Sequence, residues 1–239
     1  MIADMHRARH LAWELPKFGW DVEILSPGTD YQRSLWTESD SVGFFAPHIP
    51  AHLVDAPKSR FNAFMGTNGI GWRALLPMLR AGRQLLRENP FDLIYFSTAQ
   101  FPLFLLGPIW KLEFSVPYVL DFHDPYFREG KHYPFWDRPS LKHLVASRLS
   151  KHVESLSTTR AAGLVAVSPY YIDTLRRRYS SKNPPWLRPG CCECIPFAVM
   201  PHDLEEAAKR PQEKPITTNL RIIYVGAGGP IMVRSFDLL

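Results

Sequence analysis

Apolar residues along this chain recur with two different periods, and the alternation between them outlines the secondary structure. After Asp4, a residue suited to the N-cap, Met5, Ala8, Leu11, Ala12 and Leu15 repeat at helical spacing, with Arg7, Arg9 and Glu14 on the opposite side. Pro16 and Gly19 end that helix. Residues 21–26 read as a short strand through Val22, Ile24 and Leu25, stopped by Pro27-Gly28. Residues 29–71 hold no sustained period and predict a long irregular loop, or a small strand with short helical turns. The helical period returns over 72–88 with Leu75, Leu76, Leu79, Leu85 and Leu86, and Asn89-Pro90 ends it. The run DLIYFS over 92–97 is continuously apolar in its middle, as strands buried on both faces of a parallel sheet are.

The cycle then repeats. A helix runs to about Lys111, VPYVLD over 116–121 predicts a strand, and His123-Asp124-Pro125-Tyr126 follow as a loop. Ser140 caps an amphipathic helix that turns Leu141, Leu144, Val145, Leu149, Val153 and Leu156 inward, with Lys142, His143, Arg148, Lys151 and His152 outward. GLVAV over 163–167 predicts a strand, and Ser168-Pro169 opens a helix with a hydroxyl at the N-cap and proline at N1. Residues 184–215, rich in Pro, Glu and Lys, have the composition of a linker. LRIIYV over 220–225 predicts one more buried strand, followed at once by Gly226-Ala227-Gly228-Gly229. Alternating strands and helices at this spacing imply an α/β, doubly wound, mostly parallel Rossmann-like sheet with right-handed crossovers. Ligands in such sheets bind outside the carboxyl ends of the strands, which puts the loops after Ser26, Ser97, Asp121 and Val167 at the working edge.

Composition narrows this little. The chain has 239 residues, 46% hydrophobic and 21% charged, enough to bury a core and too apolar for a disordered chain. A net charge of +5 suits phosphate-bearing ligands or an anionic membrane surface, but the basic residues form no clustered stripe for nucleic acid. Residues 93–110 lack charge over nearly a membrane span, yet Ser97, Thr98, Gln100, Pro102, Gly107 and Pro108 interrupt them. A strand, a polar turn and an apolar helix fit that stretch better than a transmembrane helix. The three cysteines, Cys191, Cys192 and Cys194, are an odd count without a secretory signal and read as reduced thiols in a surface loop. A zinc site would need a fourth ligand such as His202, at a spacing that matches no common finger; no metal site is expected.

Chemistry concentrates after Leu120, where Asp121, His123 and Asp124 fall within four residues of a strand end. A histidine there can carry a proton or bond a sugar hydroxyl, and a carboxylate can orient it. The structural alternative is that the two aspartates cap a turn while His123 packs against aromatics. The glycine run after Val225 lets backbone N–H groups approach a diphosphate, although such turns are common after buried strands. Arg176, Arg177 and Arg178 finish a helix, where cations suit the dipole, and with Lys142, Arg148 and Lys151 read first as a solvated face. No nucleophile elbow, Walker loop or Asp-x-Asp pair is present.

These segments, taken in order, resemble the GT-B glycosyltransferases, specifically the family 4-like N-terminal domain. RARHLAWELPKFGWDVEILSP resembles the helix, glycine turn and second strand of that domain, and DLIYFST its next central strand. VPYVLDFHDPY resembles its Asp-containing strand and loop, and AAGLVAVSPYYIDTLRRRY the strand and helix start before the interdomain link. IPFAVMPHDLEEA is similar to that link, with Ala198 where glycine is usual and Met200 in place of aspartate, and LRIIYVGAGG to the start of the donor domain.

The resemblance implies an acceptor-side domain over 1–200, a linker over 201–218 and the start of a donor-binding domain over 219–239. It implies transfer of a sugar from a nucleotide-sugar donor to a glycan or lipid-linked acceptor, typically with retention, without a metal ion and with no cofactor besides the donor. His123 and Asp124 would be catalytic, and Asp121, Tyr126, Ser97 and Ser168 would line the acceptor side of the cleft. Gly226, Gly228, Gly229 and Arg234 would hold the donor diphosphate. Polysaccharide assembly in the cytoplasm, at or near the inner face of the membrane, goes with that reading. Against the family pattern the chain lacks a leading strand and glycine loop and stops ten residues past Gly229. It therefore reads as truncated at both ends, inactive by itself, with completion by a second chain as the alternative. The other readings are a non-catalytic remnant or interaction module of the same fold, or a nucleotide-sugar epimerase.

Overall fold

The computed structural model describes residues 3–28, 49–57, 69–127, 141–199 and 201–209. Helix α1 spans Ala3–Glu14 and continues as a 3₁₀ turn, Leu15–Phe18. Gly19, at φ 82°, closes it in the left-handed conformation that a side chain would disfavour. The helix already includes Ala3, so Asp4 lies in its first turn and not at the N-cap. Strand β1 (Ile24–Pro27) pairs in parallel with β2 (Ala51–Val54). Helix α2 (Ile70–Glu88) leads into β3 (Ile94–Ser97), and a 3₁₀ turn, Phe101–Leu105, leads into α3 (Leu106–Phe114). Strand β4 (Tyr118–Phe122), helix α4 (Leu141–Thr158), strand β5 (Gly163–Ala166) and helix α5 (Pro169–Tyr179) follow.

The fold class is the expected α/β arrangement of parallel strands joined by helices. Among the described residues the strands form two parallel sheets, β1-β2 and β3-β4-β5-β6. The last of the described strands, β6 (Cys192–Cys194), corrects the expectation from the sequence, which placed the cysteines in a surface loop within a linker; the strand expected over 220–225 lies outside the described residues. Leu164 N–H donates to Cys191 O at 2.9 Å and Ile195 N–H to Ala166 O at 2.9 Å, so the segment joins the sheet beside β5. Three residues (CEC) without an apolar run, after Pro189 and Gly190, carry no period from which a strand could be read. The chain divides into two compact units, residues 1–198 and 199–239; in the second, α6 covers Pro201–Ala208.

Strand alternation sends Phe96, Tyr118, Leu120 and Phe122 to one face, where they meet Phe104, Leu106 and Trp110. Phe96 stacks on Trp110 at 6.0 Å and meets Tyr118 edge-on at 6.1 Å. Each fully buried side chain of this size contributes about 1.5–3 kcal/mol of transfer free energy. Two glycines allow the close approach: a Cβ on Gly82 would stand 2.1 Å from the Trp110 ring, and one on Gly107 2.6 Å from Tyr118. A smaller cluster around Ala12 and Ile49, with Trp13, Val22 and Ile24 against it, packs separately.

Helix α4 departs from its pattern. Leu149 and Leu156, expected inward, are 40% and 47% exposed, whereas Glu154, Ser157 and Thr158 are buried. The reason is that side chains seek its polar atoms. Tyr118 Oη donates to Ser157 O at 2.6 Å and Trp186 Nε1 to Thr158 O at 2.9 Å, covering carbonyls that the helix end leaves open. Ser140 and the inward positions Leu141, Leu144 and Val145 lie outside the residues whose side chains are described. Ser168 does occupy the N-cap of α5 with Pro169 at N1, but its hydroxyl makes no capping bond.

Candidate functional site

Parallel pairing aligns Ser97 with Asp121 at the carboxyl ends of β3 and β4, and Asp121 with Val165 on the other side. Asp121 faces away from the aromatic core, on the side where α1 lies against β3. It is fully buried, in a strand whose neighbouring side chains are apolar or aromatic. A carboxylate in that setting requires donors, and four reach it. Arg7 forks onto it, Nε to Oδ2 at 2.6 Å and Nη2 to Oδ1 at 3.2 Å. Tyr95 Oη donates to Oδ2 at 3.0 Å, and His123 Nε2 stands 3.1 Å from the same oxygen. Burial alone would raise the Asp121 carboxyl, but the hydrogen bonds from His123 and Arg7, with the Arg7 charge, outweigh it and hold it below the usual carboxylate range. Burial, with the Asp121 charge beside it, pushes the Tyr95 hydroxyl far up, so it stays a donor.

His123 is itself buried at 5% exposure. Ser97 Oγ lies 3.3 Å from its Nε2, and the Phe197 ring meets it edge-on at 5.3 Å. An ionised Asp121 is an acceptor, so Nε2 carries the proton that points at it. Nδ1 is then the free position of the ring, and it is buried with no hydrogen-bond partner. The cluster thus offers one uncommitted ring nitrogen at the strand ends, with its tautomer fixed from behind.

A second buried group holds the loop that follows. Glu154 of α4 accepts from Arg178 Nη1 at 2.7 Å, Tyr179 Oη at 2.8 Å and Phe127 N–H at 3.1 Å. Arg178 Nη2 donates back to Phe127 O at 2.9 Å, and its guanidinium covers the Phe127 ring at 5.0 Å. Arg178 therefore leaves the solvated basic face to Arg176 and Arg177, both exposed. Within the loop Tyr126 stacks on Phe101 at 4.4 Å. Its hydroxyl is pushed up to about 12 by burial and by Glu154, against a hydrogen bond from Ser150.

The structure brings three of the expected site residues together: His123, Asp121 and Ser97. Asp124 is exposed and outside the cluster, Tyr126 belongs to the aromatic packing, and Ser168 sits at the same sheet edge without a hydrogen bond to His123. Gly226, Gly228, Gly229 and Arg234 lie outside the described residues. Arg7, expected on the outer side of α1, is instead 5% exposed. Helical period alone points the other way; the available signal was Asp121, an acid in an apolar strand that calls for a cation without saying which. Tyr95, Phe197 and Glu154 carried no signal at all.

A family model for the glycosyl transferase 4-like domain matches residues 6–186. The chain belongs to that family. The match covers α1, the site at the ends of β3 and β4, and Glu154 with its partners, and it agrees with the resemblance carried by the sequence motifs. Among solved structures, the crystal structure of Anabaena HepE (Alr3699) in complex with UDP-glucose is similar over 68% of this chain, at 15% identity and a TM-score of 0.33. This glycosyl transferase 4-like chain spans 36% of that protein's length. No curated protein matches it. Among the described residues no group of three or more potential metal ligands occurs, and no helix is long and apolar enough to cross a membrane.

Proposed function

We propose that residues 1–200 form the acceptor-side domain of a glycosyltransferase, in which His123 bonds a hydroxyl of the sugar or of the acceptor as the glycosyl group is transferred. The observation that carries this reading is the buried Nδ1 of His123 without a hydrogen-bond partner, whose opposite nitrogen is held by Asp121. In the reaction the bond from the anomeric carbon to the nucleoside diphosphate breaks. A bond from that carbon to the acceptor oxygen forms, and the hydroxyl proton leaves with the departing phosphate. Nδ1 would accept the hydrogen bond of a hydroxyl near that carbon, with no reorganisation because Asp121 fixes the ring beforehand. Asp124, exposed beside it, would meet the acceptor.

The donor would be a nucleotide sugar held through Gly226, Gly228, Gly229 and Arg234 of a donor-binding domain beginning near 219, joined by a linker over 201–218. Transfer with retention and without metal, to a glycan or lipid-linked acceptor on the cytoplasmic side, belongs to the same proposal. Exposed Arg176 and Arg177 support contact with an anionic membrane surface.

The test is glycosyl transfer by the chain joined to a complete donor-binding domain, with a panel of nucleotide sugars and lipid-linked acceptors. His123→Ala is expected to lower turnover by about 100-fold or more. Undiminished turnover in that variant would remove His123 from the reaction, and absence of any nucleotide-sugar binding in the joined protein would favour a non-catalytic interaction module.

A further inference from the structure

We propose that Arg7 is the positioning residue of this site: it sets the orientation of the His123 ring through Asp121 and, with the same guanidinium, fastens the segment 195–197 that covers the ring. The inference rests on the reading of His123 as the ligand-facing group, and extends it to a residue that touches no substrate.

The guanidinium distributes its donors between two structures. Nε and Nη2 take the two oxygens of Asp121 at 2.6 and 3.2 Å, and Nη1 takes the carbonyls of Ile195 at 2.6 Å and Pro196 at 3.1 Å. The next residue, Phe197, lies with its ring 5.8 Å from the guanidinium carbon and 5.3 Å from the His123 ring. Two restraints on the imidazole therefore trace back to Arg7, one through a carboxylate and one through an aromatic edge.

A half-turn of the imidazole about the Cβ–Cγ bond would put Cε1 where Nε2 stands, so the two ring orientations are not equivalent beside a carboxylate. The choice matters, because the observed orientation sets Nε2 against Asp121 and leaves Nδ1 unpartnered. Arg7 fixes the choice by occupying one edge of Asp121 in a fork, so that Oδ2 is aimed at Nε2 and at Tyr95. Ser97 Oγ beside Nε2 reinforces the same orientation. A lysine supplies the charge but no planar fork, and one ammonium cannot span the carboxylate and both carbonyls.

The experiment is a long-range proton–nitrogen correlation spectrum of the full chain labelled with nitrogen-15 histidine, the His123 signals being assigned by their loss in His123→Gln. The wild type is expected to show His123 protonated on Nε2 and bare on Nδ1. Arg7→Met is expected to replace that pattern with a mixture of tautomers. An unchanged pattern in Arg7→Met with native circular dichroism overturns the proposal. Should Arg7→Met fail to fold, Arg7→Lys decides the question: a mixed pattern supports the fork, and a wild-type pattern overturns it. In the joined transferase, Arg7→Lys is expected to lower kcat on the order of 100-fold with KM little changed, and full turnover there overturns the positioning role. The spectra need neither donor nor acceptor, so a fully active His123→Ala enzyme would remove the role of His123 in transfer while leaving the ring-orientation result to stand or fall separately.

Discussion

Replacing Glu154 by glutamine changes one oxygen to an amide and leaves the volume of α4 intact, which isolates the charge. In the native protein Glu154 is buried and accepts three hydrogen bonds, from Arg178, Tyr179 and the Phe127 backbone. The Arg178 side chain is 9% exposed, so the substitution takes the carboxylate away from a guanidinium that water barely reaches. Removing one partner of a buried ion pair costs about 3–5 kcal/mol, mostly from the charge left behind. For a domain of this size each kcal/mol moves the melting temperature by roughly 2–4 °C, so Tm should fall by roughly 6–20 °C. Urea unfolding followed by circular dichroism measures the change directly. The double variant Glu154→Met with Arg178→Met should recover much of the loss, because no charge remains unpaired. A cost below about 1 kcal/mol for Glu154→Gln, the range of an exposed pair, would refute the account of this group. A double variant no better than the single would do the same. Hydrogen exchange adds a local readout: the Phe127 amide, which donates to Glu154, should lose protection before the strands do.

Asp121 supplies a pH prediction. Its carboxyl is depressed in the folded chain, so its stabilising contribution is complete above the unfolded value near about 3.9 and is lost as pH falls through the lower folded value. Acid unfolding should therefore steepen below about pH 4, and Asp121→Asn, which strands Arg7, should be less stable at neutral pH with a flatter acid limb. Gly82→Ala sets two effects of opposite sign against each other. Helix propensity favours alanine by about 1 kcal/mol, but the new methyl would enter the Trp110 ring, itself 3% exposed and stacked on Phe96. Overpacking costs about 1–3 kcal/mol, so the melting temperature should fall, and a rise would show that the ring yields freely. Burial raises the Cys192 thiol despite Arg176 near by, while Cys194 is exposed. A maleimide at neutral pH should accordingly label Cys194 before Cys192, as peptide mass mapping would show.

The parallel strands were legible because their middles are apolar runs bounded by Pro, Gly or Asp, and β3, β4 and β5 all appear within residues of the expected positions. The turns at Gly19 and Asn89 were legible for the same local reason. What local pattern could not carry was the source of partners. Leu149 and Leu156 follow the helical period but face solvent, because Tyr118, Trp186 and Arg178 claim the polar side of α4 from distant parts of the chain. Arg7 meets Asp121 across 114 positions, and β6 joins β5 with three residues that resemble no strand. Half of the site could thus be read from one strand end, and the half that holds it in place could not.

The separate small cluster under α1 has a dynamic consequence. Helix α1 packs through Ala12 and Trp13 on Ile49, Val22 and Ile24 beside the two-stranded sheet, whereas β4 belongs to the large aromatic core. Arg7 links these two clusters within one compact unit. Opening of the α1 cluster would withdraw the guanidinium and leave β4 folded with a disarmed histidine at its tip. Heat or mild denaturant should then extinguish ligand recognition several degrees before the sheet melts, and stabilising the α1 cluster alone should close that interval.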